Sequence, residues 1–193
     1  PTIRISTPTM TDDPPTDDEP TVESLTDPET LRGREDVEFV EEEFVLGREE
    51  YEEVRERMAT WTSHAVVGII DDDGATLLAN DGSHGWTLPA FPVESGDDYA
   101  TAVQDGVEEL TGVAVEVDGV ERARRVDYRF EDGEPVATLY QVVFRAAPVA
   151  REDVTVGADG GVGDPDVEWF DDVPETDVEE GSGAEADVRL FVD

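Results

Sequence analysis

The feature that most constrains the fold is a pair of long apolar runs far apart in the chain, Ala65 to Ile70 and Ala137 to Phe144. Both are rich in β-branched residues, which is typical of buried strands. Between them, residues 97–110 form a pattern with apolar side chains three, four and three residues apart, at Ala100, Val103, Val107 and Leu110. This spacing predicts an amphipathic helix that ends near Gly112. The chain is therefore expected to fold as a sheet with a helix packed on it.

The remaining pattern divides the chain into three parts. Residues 1–33 are rich in Thr, Pro and Asp and are expected to be a disordered acidic tail. Residues 34–62 form an N-terminal extension with a predicted helix at 48–59, and residues 63–193 form the main domain. The segment 37–46 is ambiguous between strand and helix.

Within the main domain, apolar alternation and turn residues predict further strands. We expect a hairpin of 64–71 and 75–79 around Asp72-Asp-Gly74, a short strand at 86–88, strands at 113–117, 120–130 and 136–146, a loop at 150–166, order resuming at 168–170, and a terminal helix or strand within 184–192.

Charge limits the partners of this protein. Asp and Glu number 51 against 13 basic residues, all of them Arg, and the formal net charge is −38. Such a surface repels nucleic acid and anionic membranes. It is typical of proteins from extreme halophiles, because the Debye length falls to roughly 3 Å in 1 M salt. A fully disordered acidic protein is disfavoured by the apolar runs.

Several chemistries are excluded or disfavoured by composition. The chain has no Cys, so it has no disulfide and no thiolate metal site. His64 and His84 have no second histidine or nucleophile at motif spacing. No apolar run approaches the roughly 20 residues of a membrane span, and no signal sequence is recognised, so a cytoplasmic location is predicted. Whether Met10 is the natural start is open.

The stretch from Leu88 through the predicted helix to Val113 resembles the Nudix box. In that family the box reads G, five residues, E, seven residues, R-E-U-x-E-E-x-G-U, where U is a bulky aliphatic residue. Gly112 and Val113 fix the register. The hairpin before the box, the long strand after it and the segment 168–174 also occupy places where Nudix domains have similar elements, so the resemblance covers roughly residues 63–180.

This chain departs from the box at most of its polar positions. Phe91 stands at the first Gly, Asp97 at the first Glu and Asp105 at the Arg. A bulky side chain at the first position blocks the close backbone approach that Gly allows. Asp97 is a conservative change and is a candidate N-cap for the helix.

The helix carboxylates that bind metal in the family are also reduced. Gly106 and Leu110 replace two of the three, and Glu109 alone is retained. Asp105, Glu108 and Glu109 repeat the acid spacing one residue earlier, but that shift turns the set by about 100° around the helix. In so acidic a chain, a solvated face is the simpler interpretation of Asp105 and Glu108.

The resemblance implies an α/β fold, a Nudix-like α/β/α sandwich with a mixed β-sheet. It also implies a hydrolase of nucleoside diphosphate-linked substrates that uses Mg²⁺ or Mn²⁺, held by hard carboxylate oxygens. Glu109 and Asp105 are then the candidate catalytic residues, and Glu109, Asp97 and Glu108 the candidate metal ligands. A further acid would have to come from elsewhere, with Glu152, Asp153 and Asp164 as candidates by position.

The losses at positions 106 and 110 support an alternative, a Nudix-like domain that no longer hydrolyses and binds a ligand or a partner. In either case a nucleotide-type small molecule is the expected ligand, and a homodimer is left open. Trp86, Phe91 and Trp169 could stack on a base, although aromatic residues near strands are more often core. Arg122 and Arg124 share one strand face, opposite Arg125, where they could meet a phosphate or pair with neighbouring acids.

Overall fold

The computed structural model describes residues 22, 24–47, 63–82, 85–130, 133, 135–149, 165–172, 174 and 183–192. A 3₁₀ helix spans Pro28–Leu31. The strands and helices of these residues are β1 (Glu38–Leu46), β2 (Ser63–Ile69), β3 (Thr76–Asn80), β4 (Ala90–Val93), α1 (Tyr99–Thr111), β5 (Val115–Phe130), β6 (Pro135–Pro148), β7 (Asp166–Phe170) and α2 (Gly183–Val188). None of the described helices is long and apolar enough to cross a bilayer.

Five strands form a mixed sheet in the order β1-β5-β6-β2-β4. The β1/β5 and β2/β6 pairs are parallel, while β5/β6 and β2/β4 are antiparallel. Strands β3 and β7 form a separate antiparallel pair. The predicted α/β class with a mixed sheet is therefore confirmed.

The two apolar runs are continuous because both faces of their strands are covered. Ala65 and Val67 of β2 belong to one core cluster, together with Val103 and Val107 of α1. Val66 lies between them on the opposite face and packs in a second cluster with Val188 of α2. The helices thus cover opposite faces of the sheet, giving a helix, sheet, helix layering.

The predicted hairpin is correct in its strands and wrong in its pairing. Between β2 and β3 there is one isolated bridge, from Ile70 to Thr76. The Asp71 carboxylate accepts hydrogen bonds from the backbone N–H groups of Asp73 and Ala75, both at 2.9 Å, and so closes the loop locally. Beyond the bridge, β3 pairs with β7 instead, which a local turn signal cannot reveal.

Other elements refine the predictions. Segment 37–46 is a strand, and the two strands expected at 113–130 are one strand with β-bulges. Of residues 86–88, Thr87 alone forms a bridge, to Ala79. The terminal element is a helix.

The expected disordered tail is wrong for residues 24–33. This segment contains the 3₁₀ helix, and its Leu25 and Leu31 are buried in the core on the α1 side. The tail before residue 22, the predicted helix at 48–59 and the loop at 150–164 lie outside the described residues. The three-part division of the chain otherwise stays a prediction.

Candidate functional site

The N-cap of helix α1 is Asp98, one residue after the N-cap predicted from the sequence. The Asp98 carboxylate accepts a hydrogen bond from Thr101 N–H at 2.9 Å, and its second oxygen accepts one from Leu25 N–H at 3.0 Å and another from the Ser24 hydroxyl. Burial alone would raise the pKa of Asp98, but these hydrogen bonds outweigh it and hold the pKa below its usual value. The N-cap prediction for Asp97, which is exposed, is therefore wrong.

The other end of α1 is fixed by Gly112. Its φ of 72° lies in the left-handed region, and its N–H donates to the Glu108 carbonyl at 2.8 Å. The buried face of the helix carries Tyr99, Ala100, Val103 and Val107. Because this face is fixed in the core, the carboxylates cannot be rotated toward the sheet.

Phe91 and Gly106 are in direct contact across β4 and α1. A Cβ atom added to Gly106 would lie 2.3 to 2.6 Å from three carbons of the Phe91 ring. Carbon atoms in contact normally stay about 3.5–4.0 Å apart. The ring therefore occupies the space that any side chain at position 106 would need, including the carboxylate that the Nudix box has there.

The acidic candidates on and before α1 all face solvent. Asp97, Asp105, Glu108 and Glu109 are exposed. Among the described residues, no group of three or more His, Asp or Glu side chains could hold a metal ion. The described residues of α1 therefore do not fit the Mg²⁺ or Mn²⁺ site that the resemblance implies. Glu152, Asp153 and Asp164 lie outside the described residues, so their contribution stays a prediction.

Arg122 and Arg124 lie on one face of β5 and converge on Asp187 of α2. Arg122 Nη1 lies 2.7 Å from Asp187 Oδ1, and Arg124 Nη2 lies 3.1 Å from the same oxygen. Arg124 Nη1 also lies 3.2 Å from Asp187 Oδ2. Arg125 points to the opposite face, as strand alternation predicts, and pairs with Glu29 and Asp127.

Further contacts complete this buried cluster. The Arg122 Nε donates to Glu38 at 2.6 Å, and Arg124 Nη1 donates to Gln141 Oε1 at 2.6 Å. Asp187 was not found by sequence reasoning. Its partners are more than sixty positions away, and in a chain with so many acids no local signal distinguishes this one.

No described arginine is left without a carboxylate partner. Each lies within ion-pair distance of an acid: Arg32, Arg34, Arg122, Arg124, Arg125, Arg129, Arg145 and Arg189. A substrate phosphate that met one of these guanidinium groups would have to compete with that acid.

The aromatic candidates for base stacking are occupied by other side chains. The Trp86 ring makes an edge contact with Phe170, with centroids 4.9 Å apart. Phe91 lies on Gly106, and Trp169 packs against the core on the α1 side. These contacts favour a packing role for all three.

Among the described residues, two clefts on opposite faces of the sheet are relevant to ligand binding. One, of about 460 Å³, lies beside the loop before α1; its described lining includes Ser63, Ser95 and Thr138 with Asp27 and Glu94, and no basic side chain. The other, of about 590 Å³, lies on the α2 face and contains Arg124 and His64. Burial lowers the pKa of His64, which favours the neutral imidazole.

Comparisons with known proteins gave no matching family model and no matching curated protein. Among solved structures, the chain is similar to a UDP-X diphosphatase, with 18% identity over 76% of this chain and 70% of that chain and a TM-score of 0.48. A NUDIX hydrolase from Nitrosomonas europaea has 19% identity over 57% of this chain and 58% of that chain, with a TM-score of 0.37.

A mutant of the Bacillus subtilis pyrophosphohydrolase BsRppH has 14% identity over 67% of this chain and 82% of that chain, with a TM-score of 0.44. At identities of 14% to 19%, these are similarities of fold.

Proposed function

We propose that this chain is a Nudix-like domain that binds a nucleotide-type small molecule. It does not hydrolyse that ligand, because α1 no longer carries the metal site that the reaction needs. The observation that carries the proposal is the contact between Phe91 and Gly106. It removes one metal-binding carboxylate of the box and fills the vacated space with an aromatic ring.

Two further observations support it. Leu110 stands at a second lost carboxylate position, so Glu109 is the single box carboxylate that the helix retains. One helical carboxylate is a weak site for Mg²⁺, which is usually held by one or two carboxylates together with substrate phosphates and water. The cleft beside the loop before α1 has acidic and hydroxyl groups, and its described lining offers no cation to a phosphate.

A metal-dependent hydrolase of nucleoside diphosphate-linked substrates is the second candidate. It is favoured by the exposure of Asp105, Glu108 and Glu109, none of which forms an ion pair with a described residue. In this candidate Glu109 binds Mg²⁺ or Mn²⁺ with Asp97 and Glu108 in support, Asp105 assists, and a further acid comes from residues 150–164.

Turnover separates the two candidates. The protein, folded in molar KCl with Mg²⁺ or Mn²⁺, is incubated with ADP-ribose, diadenosine polyphosphates and nucleoside triphosphates, and product release is measured. Glu109→Gln is the test variant. Glu116→Gln, at an exposed acid of β5 outside the box, is the matched control.

We expect equal background rates from the wild type and both variants, together with calorimetric binding of at least one nucleotide. Turnover that disappears in Glu109→Gln and persists in Glu116→Gln would establish the hydrolase instead. The net charge of −38 makes nucleic acid and anionic membranes unsuitable partners. The cytoplasmic location and the homodimer stay predictions.

A further inference from the structure

We infer that the cleft on the α2 face of the sheet holds the base of a nucleoside, stacked on the aromatic pair of Phe44 and Tyr128. This inference rests on the proposed nucleotide-binding function and names the site and the part of the ligand that is recognised. We call this cleft the base cleft; its volume is about 590 Å³, and its main lining residues are Phe44, His64, Arg124, Val126, Tyr128 and Gln141.

The floor of the base cleft is an aromatic pair with one apolar neighbour. Phe44 of β1 lies opposite Tyr128 of β5, and their rings stack with centroids 5.4 Å apart and an angle of 18° between the planes. Val126 continues the floor along β5. Phe44 is 47% exposed, one of few large apolar side chains that the described surface presents. An exposed aromatic face of this kind is a platform on which every base can stack.

One end of the base cleft is polar. Gln141 and His64 are paired residues of β6 and β2. The Gln141 carbonyl oxygen accepts a hydrogen bond from Arg124, which turns the amide nitrogen away from Arg124 and leaves it as a donor. His64, as the neutral imidazole, offers one donor and one acceptor. Such groups match the mixed donors and acceptors on the edge of a base.

The guanidinium group of Arg124 lies at this polar end and is unusual in its hydrogen bonding. It is 6% exposed, and its Nε makes no hydrogen bond although it lies 3.2 Å from Glu42 Oε1. A buried guanidinium nitrogen without a hydrogen bond is costly, and this nitrogen has almost no accessible surface, so recognition of the base edge rests on Gln141 and His64. Gly183 allows this geometry, because a Cβ there would lie 3.0 Å from Arg124 Nη1.

A phosphate group on the ligand adds little binding free energy in the base cleft. The charge of Arg124 is already balanced by Asp187 and Glu42, and the protein as a whole is strongly negative. Recognition should therefore lie in the base, so a nucleoside and its 5′-monophosphate should bind within about three-fold of each other in molar salt, where distant charges are screened.

The test is calorimetric titration in molar KCl with adenosine, guanosine, uridine and cytidine and with their 5′-monophosphates. Phe44→Leu and Tyr128→Leu each remove one ring of the floor. Phe39→Leu is the matched control, because Phe39 is on the same strand but packs in the core of the opposite face with Arg32 over its ring. Circular dichroism and thermal unfolding confirm that each variant is folded.

We expect at least one nucleoside to bind the wild type, about five-fold or more weaker binding to Phe44→Leu and Tyr128→Leu, and no more than a two-fold change in Phe39→Leu. Nucleotide binding that is unchanged in both floor variants would overturn this inference and leave the proposed function standing. The absence of any nucleoside or nucleotide binding by the folded wild type would overturn both.

Discussion

The two faces of the five-stranded sheet are held in opposite ways. On the α1 face an aromatic ring lies on a glycine, Phe91 on Gly106, and the helix carboxylates point outward. On the α2 face two arginines and Asp187 are buried together, and the base cleft with its aromatic floor lies beside them. Where the box helix meets the sheet the packing is thus apolar, while the fully buried charged residues occur on the other face.

This difference shows which residues are informative in a very acidic chain. Exposed carboxylates such as Asp105 and Glu108 resemble the rest of the surface, so their presence on α1 carries little weight. Gly106 carries more, since a glycine in the middle of a helix costs about 1 kcal/mol relative to alanine. The ring of Phe91 explains why that cost is tolerated here.

Removing Asp187 should have the largest effect, because it breaks the anchor of the α2 face. Asp187→Ala leaves Arg122 and Arg124 buried with fewer partners, and we expect the free energy of unfolding to fall by about 3–5 kcal/mol. Urea denaturation in molar KCl measures this. Glu185→Ala on the same helix breaks a pair with the exposed Arg189 and should cost less than about 1 kcal/mol. Equal effects of the two changes would contradict the account.

The α1 face is tested by a double-mutant cycle at Phe91 and Gly106. Gly106→Ala forces a methyl group into the Phe91 ring, so a loss of about 1–3 kcal/mol should exceed the helix-propensity gain of about 1 kcal/mol. With Phe91→Ala already present, the same change should stabilise the protein. Thermal and urea unfolding of the four proteins give the coupling energy. Additive effects would show that the two positions do not exclude one another.

Two neighbouring acids at the start of α1 should differ by a smaller amount in their contribution to the free energy of unfolding. Asp98→Ala should destabilise the protein by about 0.5–2 kcal/mol, because it removes the cap and the hydrogen bonds to Leu25 and Ser24. Asp97→Ala, one residue earlier and exposed, should change stability by no more than about 0.5 kcal/mol. A larger loss for Asp97 would restore it as the cap.

The smallest effect concerns His64 in the base cleft. Burial lowers its pKa in the folded protein, so the unfolded chain binds a proton more readily and stability falls as pH decreases through about 6.5. His64→Gln should flatten the dependence of unfolding free energy on pH between 7.5 and 5.5. An unchanged slope in the variant would mean that His64 does not contribute to it.

Much of the fold could be predicted because its signals are local. The spacing of Ala100, Val103 and Val107 predicted the helix, and Gly112 predicted where it ends. The apolar runs gave β2 and β6, whose burial on both faces follows from their continuous hydrophobicity. Non-local choices could not be predicted in the same way: β3 pairs with β7, and Leu25 is buried although its neighbours are polar.

The candidate site was predictable only in part. The box register identified Phe91 and Gly106 as departures, but their contact required the geometry of β4 against α1. The shared face of Arg122 and Arg124 followed from strand alternation, whereas Asp187 comes from a distant helix. The base cleft joins four strands and α2, and no motif in the sequence marks such a combination.

Metal binding tests the central claim most directly. Mn²⁺ is titrated in molar KCl and followed by electron paramagnetic resonance for the wild type, for Glu109→Gln, and for the reversal variant Phe91→Gly, Gly106→Glu, Leu110→Glu, which returns the box residues at these positions. We predict that the wild type and Glu109→Gln bind Mn²⁺ equally weakly and that the folded reversal variant gains a site. Stoichiometric Mn²⁺ binding by the wild type that is lost in Glu109→Gln would contradict the claim that the ring on Gly106 has replaced the metal site.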